Sequence, residues 1–208
     1  MDTNTKKMVA LTFDDGPSET TLEVLDILEK YEVKATFFLI GELITEKTIP
    51  IMKRELELGC EIQNHSFTHS DMTKLSAEEI REEIKKTSDA IYNAVGVEPK
   101  FFRPPYILTN DVMFENIDLN FIVGLGCNDW IAEASAQERT QLLLDNVKDG
   151  TMVLLHDFYG NVNTLQALPA MIEGLKEQGY TFVTVEELFR ANGVNPEQRG
   201  KMWTNIYE

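Results

Sequence analysis

The stretch Met8-Val9-Ala10-Leu11-Thr12-Phe13-Asp14-Asp15-Gly16-Pro17 runs from an apolar segment into two adjacent carboxylates and then a Gly-Pro breaker. Apolar residues bounded by such a breaker predict a strand over 8–13 followed by a loop. Neighbouring carboxylates repel each other, and they are tolerated in open water or beside a cation. At the end of a buried strand this pair has two readings. One is a solvated Asp-Asp turn. In the other, one carboxylate binds a metal and its neighbour faces a substrate.

Outward from this stretch, apolar runs and helical patterns alternate along the whole chain. Helices are expected over 20–31, with Leu22, Leu25 and Leu28 on one face, and over 48–58. Capping boxes at Ser76-Ala77-Glu78-Glu79, Ser135-Ala136-Gln137-Glu138 and Thr184-Val185-Glu186-Glu187 open three more, the first two reaching Val95 and Lys148. A further helix is expected over 164–178. Between them lie β-type runs at 35–40, 60–64, 100–102, 121–124, 151–156 and 180–183. Strict alternation implies an α/β fold with a parallel sheet. About seven strand-helix units are fewer than an eightfold barrel requires, so an open or distorted (β/α) barrel is expected. No Gly-rich phosphate loop follows any strand, which removes the main support for a nucleotide-binding doubly wound sheet.

The 208 residues suit one domain with a substantial core, and no stretch is long and apolar enough to span a membrane. A formal net charge of -16 argues against nucleic acid and against an anionic membrane surface, leaving a neutral polymer or a small molecule as the easier partner. Cys60 and Cys127 make neither a disulfide framework nor a zinc knuckle. Residues 1–7 are polar and lack the apolar core of a signal peptide. They are read as a disordered or added lead, and the chain as either cytoplasmic or an excised module. The domain is expected over 8–191, followed by a tail over 192–208 whose Trp203, Ile206 and Tyr207 predict packing onto the rest.

Asp14, Asp15, His65, Arg103, Asp129 and His156 all fall at, or a few residues beyond, the C-terminal ends of different expected strands. Parallel α/β folds place their active sites there. His65 and His69 stand four apart, a spacing that on a helical turn puts both rings on one side. Two imidazoles and a carboxylate can hold zinc or a similar divalent ion while leaving positions open for water and substrate. A pair of surface histidines is the other reading. Arg103 precedes two prolines that hold the backbone extended and carry no N–H, so the next free donor is that of Tyr106. A buried Arg103 would keep a neighbouring carboxylate ionised; as a surface arginine it would do nothing of the kind. Taken singly, Trp130 reads as a sugar-stacking platform or a core residue, and His156 as a catalytic or a core histidine.

Together, Thr12-Phe13-Asp14-Asp15-Gly16, His65-Ser66-Phe67-Thr68-His69, Arg103-Pro104-Pro105-Tyr106, Asp129-Trp130 and Leu154-Leu155-His156 resemble, in order and approximate spacing, the motifs of the polysaccharide deacetylases. These are the NodB-homology domains of carbohydrate esterase family four. The resemblance runs from Met8 to about Ala191 and implies a distorted (β/α) barrel. It implies Asp15, His65 and His69 as ligands of one divalent ion, zinc or cobalt. Asp14 becomes the general base and Arg103 the residue that holds it. Tyr106 supplies a backbone N–H to the oxyanion, Trp130 and Leu154 wall a pocket for the acetyl methyl group, and His156 is the general acid with Asp129 its partner. The implied substrate is an acetylated polysaccharide or oligosaccharide, acted on by a monomer that is extracellular or at the cell surface.

Two positions depart from the family pattern. Gly126 stands where an Asp is frequent, and Ile107 where a Gly is frequent after Arg-Pro-Pro-Tyr. Both fall in loops expected on the substrate side. The loop 126–130 and the segment 155–157 look most like acetylxylan esterases, so O-acetyl groups of xylan are favoured over N-acetyl groups of chitin-like or peptidoglycan chains. The rivals are a binding module that has lost catalysis and a small-molecule amidohydrolase. None of Asp14, His65, His69 or His156 is missing, as the first would require.

Overall fold

The computed structural model describes residues 6–208. Of the lead expected over 1–7, residues 1–5 lie outside the described residues, and Lys7 already belongs to the first strand. The chain runs β1 (Lys7–Gly16), α1 (Glu19–Tyr31), β2 (Ala35–Leu39), α2 (Ile49–Glu57), β3 (Glu61–Asn64), α3 (Ala77–Val95), β4 (Phe101–Phe102), α4 (Asp111–Asn116) and β5 (Asn120–Ile122). It continues through β6 (Leu125–Gly126), α5 (Ala136–Asn146), β7 (Thr151–His156), α6 (Val162–Glu177), β8 (Tyr180–Phe182), α7 (Val185–Asn192) and β9 (Met202–Trp203). The strands form one sheet in the order β6-β7-β1-β2-β3-β4-β5-β9, with β8 paired to the start of β1. All of these pairings are parallel, so every strand presents its C-terminal end to the same rim.

The sheet curls into the distorted barrel that the alternation implies, and the last residues of the chain close it. β9 pairs with β5 on one side. On the other, Thr204 O accepts from Met152 N at 3.1 Å, and Asn205 bridges Thr151. The turn before β7 ties the two ends of the fold together. Gly150 N donates to Met8 O at 2.9 Å, and Ile206 N donates to Gly150 O at 3.1 Å.

Period-two alternation divides β1 between two apolar layers. Val9, Leu11 and Phe13 pack outward with Leu25 and Leu28 of α1 and with Leu168, Met171 and Ile172 of α6. Ala10 packs inward with Phe38, Phe101, Ile122, Met152 and Trp203. By the same alternation Thr12 and Asp14 face the barrel axis. The buried face of α1 is Thr21, Val24, Leu25 and Leu28, and Leu22 is exposed at 38%. Spacings of three drift round a 3.6-residue helix, which is why the expected Leu22 stripe misses the core.

All three expected capping boxes form, with Ser76, Ser135 and Thr184 each accepting from the backbone N–H three residues on. The two-residue strands β6 and β9 and the six-residue α4 are too short to show a periodic pattern, and the sequence did not announce them.

Candidate active site

The rim at the C-terminal strand ends collects the polar residues singled out above. Asp14 and Asp15 close β1, His65 follows β3, Arg103 follows β4, Asp129 follows β6, and His156 ends β7. Asp14, Asp15, His65, His69, Pro104, Tyr106, Ile107, Trp130, Leu154 and His156 line one cavity of about 410 Å³.

Asp15 Oδ1 lies 3.4 Å from His65 Nε2 and 3.3 Å from His69 Nε2. It is buried and has no hydrogen-bond partner among the described residues. One ligand atom from each of the three residues falls within 4.8 Å of the others. Donor atoms about 2.1 Å from a shared tetrahedral ion stand about 3.4 Å apart, so the orphaned oxygen and its spacing to both rings fit a divalent cation. His65 Nδ1 lies 2.7 Å from the Arg103 carbonyl. A carbonyl only accepts, so Nδ1 carries the proton and Nε2 keeps its lone pair for a metal. Burial pushes the Asp15 carboxyl up, but His65, His156 and His69 outweigh it and hold the group below its ordinary value. Burial and the neighbouring His65 lower His69, against the pull of Asp15 and Asp14.

The two histidines reach this arrangement from a loop, not from the helical turn on which their spacing would put both rings on one side. Residues 65–70 are irregular, with Ser66 at φ 65° and His69 at φ 56°. Ser66 N donates to Asn64 Oδ1, and His69 N donates to Ser66 Oγ. These side-chain contacts hold a backbone that a helix would have bonded internally. Left-handed backbone recurs across the site. Asp15, Ser66, His69, Tyr106, Ile107 and Asn128 all have positive φ, and among the described non-glycine residues only Glu32, at the end of α1, shares it. Each costs about 1–2 kcal/mol, so the surrounding packing over-determines the rim.

Asp14 is 2% exposed, and its Oδ1 accepts from Arg103 Nη1 at 2.5 Å. Its Oδ2 lies on the side of the Asp15–His65–His69 cluster, 3.6 Å from His65 Nε2. The Arg103 guanidinium is fully buried and lies 4.2 Å from the Phe38 ring centroid. Gly124, at φ 100°, lets the chain pass Arg103 Nη2, where an added Cβ would come within 3.0 Å. After Arg103 the two prolines donate nothing, and the Tyr106 N–H has no partner among the described residues.

On the facing wall, His156 Nδ1 lies 2.8 Å from Asp129 Oδ1, and His156 N donates to Asp129 Oδ2 at 2.6 Å. Burial disfavours the imidazolium, but the bond to Asp129 and the charges of Asp129, Asp14 and Asp15 outweigh it and push His156 up to about 9. The Trp130 ring meets the His156 ring edge-on at 5.9 Å. Trp130 is 50% exposed and Tyr106 62%, so both sit at the mouth and not in the core.

Every site residue expected from the sequence therefore meets at this one cavity or directly behind its wall. Sequence reading missed Thr164, whose hydroxyl donates to Asp129 Oδ2, and Asn161, whose Nδ2 donates to the His156 carbonyl. It also missed the buried Arg139, which bonds both. The available signal was Arg139 standing four residues before the apolar Leu143, on the same face of a capped helix. Cys60 and Cys127 are buried thiols, pushed up by burial to about 11 and about 12.

Residues 1–119 match the family described as polysaccharide deacetylase. A bifunctional xylanase/deacetylase from Pseudobutyrivibrio xylanivorans is 56% identical over 204 residues, covering 98% of this chain. The chain spans only 34% of that relative's length. The Xyl-CE4 domain of a multidomain xylanase from the hindgut metagenome of Trinervitermes trinervoides superposes with a TM-score of 0.96 at 57% identity, over 97% of this chain and 98% of that one. A family 4 acetyl xylan esterase from Clostridium thermocellum, in complex with a cobalt ion, superposes with a TM-score of 0.93 at 43% identity, over 96% of this chain and 99% of that one.

Proposed function

The chain belongs to the polysaccharide deacetylase family, and on that premise we propose that it hydrolyses acetyl groups on a carbohydrate polymer and releases acetate, with O-acetylated xylan the preferred substrate. The observation that carries this reading is Asp14, clamped by Arg103 beside the Asp15–His65–His69 cluster and across one cavity from the His156–Asp129 pair.

Asp15, His65 and His69 would hold one divalent ion, zinc or cobalt. When bound, such an ion supplies Lewis acidity, polarising an acyl carbonyl and acidifying water. Asp14 is the general base. Arg103 occupies its Oδ1, so the proton of an attacking water is taken at Oδ2, which faces the cluster. The Tyr106 N–H donates to the oxygen on which negative charge develops. Trp130 and Leu154 enclose the methyl group of the acetyl. His156, whose imidazolium the bond to Asp129 favours, gives a proton from Nε2 to the departing sugar oxygen while Asp129 holds Nδ1. The domain is assigned to 8–191, with 192–208 folded onto it.

Xylan is favoured for three reasons. The net charge of -16 repels anionic polymers. Exposed aromatic rings at the mouth suit a sugar chain lying across it, more than a small molecule enclosed within. The similar proteins include a xylanase/deacetylase and an acetyl xylan esterase. The test is acetate release from O-acetylated xylooligosaccharides and from N-acetylglucosamine oligomers, each normalised to its uncatalysed rate because esters cleave more easily than amides. Faster release from the ester is expected. Efficient release from the amide with none from the ester would reverse the substrate assignment.

A further inference from the structure

Behind His156, the carboxylate of Asp129 is not the last link. Its Oδ2 accepts from the Thr164 hydroxyl at 3.2 Å, and Thr164 Oγ1 accepts from Arg139 Nη1 at 2.7 Å. Arg139 belongs to α5 and is 1% exposed. Its other contacts are to Asn161 Oδ1 at 2.9 Å and to the Ile131 carbonyl at 2.8 Å.

The direction of these bonds follows from what each group can do. A guanidinium only donates. Thr164 has one hydroxyl hydrogen, and with Arg139 on its lone pair that hydrogen goes to Asp129. Asn161 has its carbonyl oxygen taken by Arg139, which turns its Nδ2 onto the His156 carbonyl at 3.0 Å. One buried cation thereby orients two side chains that hold the pair from either end. Its third contact fixes the residue after Trp130. A buried position on α5 would be filled by an apolar side chain without the desolvation that a buried guanidinium incurs.

We propose that Arg139 is a positioning residue for the His156–Asp129 pair, acting through Thr164 on Asp129, through Asn161 on His156, and through the Ile131 carbonyl on the Trp130 loop. This rests on the acid role given above to His156.

The test compares Arg139→Met, Arg139→Lys, Thr164→Val and the Arg139→Met/Thr164→Val double variant with His156→Ala. Each is assayed on a sugar acetate and on an activated aryl acetate that departs without a proton, and thermal midpoints are recorded alongside. Arg139→Met and Thr164→Val should each lower kcat on the sugar acetate about tenfold with KM little changed, and the aryl acetate less. The double variant should lose no more than Arg139→Met, because both act along one chain of bonds. Arg139→Lys should recover part of the loss. Equal losses of Arg139→Met on the two esters, or losses that simply multiply with those of Thr164→Val, would make Arg139 a packing residue and overturn the proposal. If Arg139→Met does not fold, the leaving-group dependence of Arg139→Lys and Thr164→Val decides, and equal losses on the two esters there overturn the proposal in the same way. His156→Ala separates the two levels: equal losses on both esters would remove the acid role and this proposal with it, whereas a selective loss there beside unselective losses at Arg139 would remove this proposal alone.

Discussion

Successive residues on a strand face opposite sides, and Asp14 and Asp15 line one cavity because β1 shifts register between Asp14 and Gly16 and Asp15 turns left-handed at φ 73°. The two carboxylates then have separate partners, Arg103 for Asp14 and two imidazoles for Asp15. Replacing Asp14 by Asn should leave metal content unchanged and lower turnover about 100-fold or more; near wild-type turnover of metal-loaded enzyme would remove Asp14 from the base role. His65→Ala should lose bound metal and activity together, checked by metal stoichiometry after dialysis, and full occupancy would refute the ligand set. These residues were legible because each chemical group is written beside its strand in a compact motif. Arg139 and Thr164 were not, since they come from two helices and only the fold brings Thr164 to Asp129 and Arg139 to Thr164.

Among the elements, the capped helices were the most legible, because a cap is a contact between residues three apart that needs no tertiary partner. The spacing of His65 and His69 suits a helical turn but does not show the backbone that carries them, which is a loop. That loop is set by Ser66, Asn64 and Glu83, and Glu83 accepts from Phe67 N and Thr68 N across to α3. Glu55 of α2 breaks the pattern of its own helix. It is fully buried, and neither side-chain oxygen has a partner among the described residues. Burial first, and the charge of Asp157 next, hold its carboxyl well above the ordinary range. A raised carboxyl favours the folded state where it is protonated, so this group weakens the fold as pH climbs from the unfolded value toward the folded one. Glu55→Met should therefore stabilise the protein by about 1 kcal/mol or more at pH 8 and by less at pH 5. Denaturant midpoints at the two pH values check this, and equal shifts would mean that the carboxyl does not titrate differently on folding.

At the level of the whole molecule, the alternation of strands and helices was enough to imply a parallel barrel short of eight units, but not how it closes. Closure depends on Trp203, 2% exposed, whose ring packs edge-on against Phe189 at 5.1 Å and whose strand spans from β5 toward β7. Trp203→Ala should cost about 3–5 kcal/mol in urea unfolding; a midpoint matching the wild type would detach the tail from the core. Met8 and Ile206 both bond to Gly150, at the rim away from the cavity mouth, so one peptide unit serves as the buckle of a belt, drawing the first strand and the closing segment together at the pole opposite the cavity.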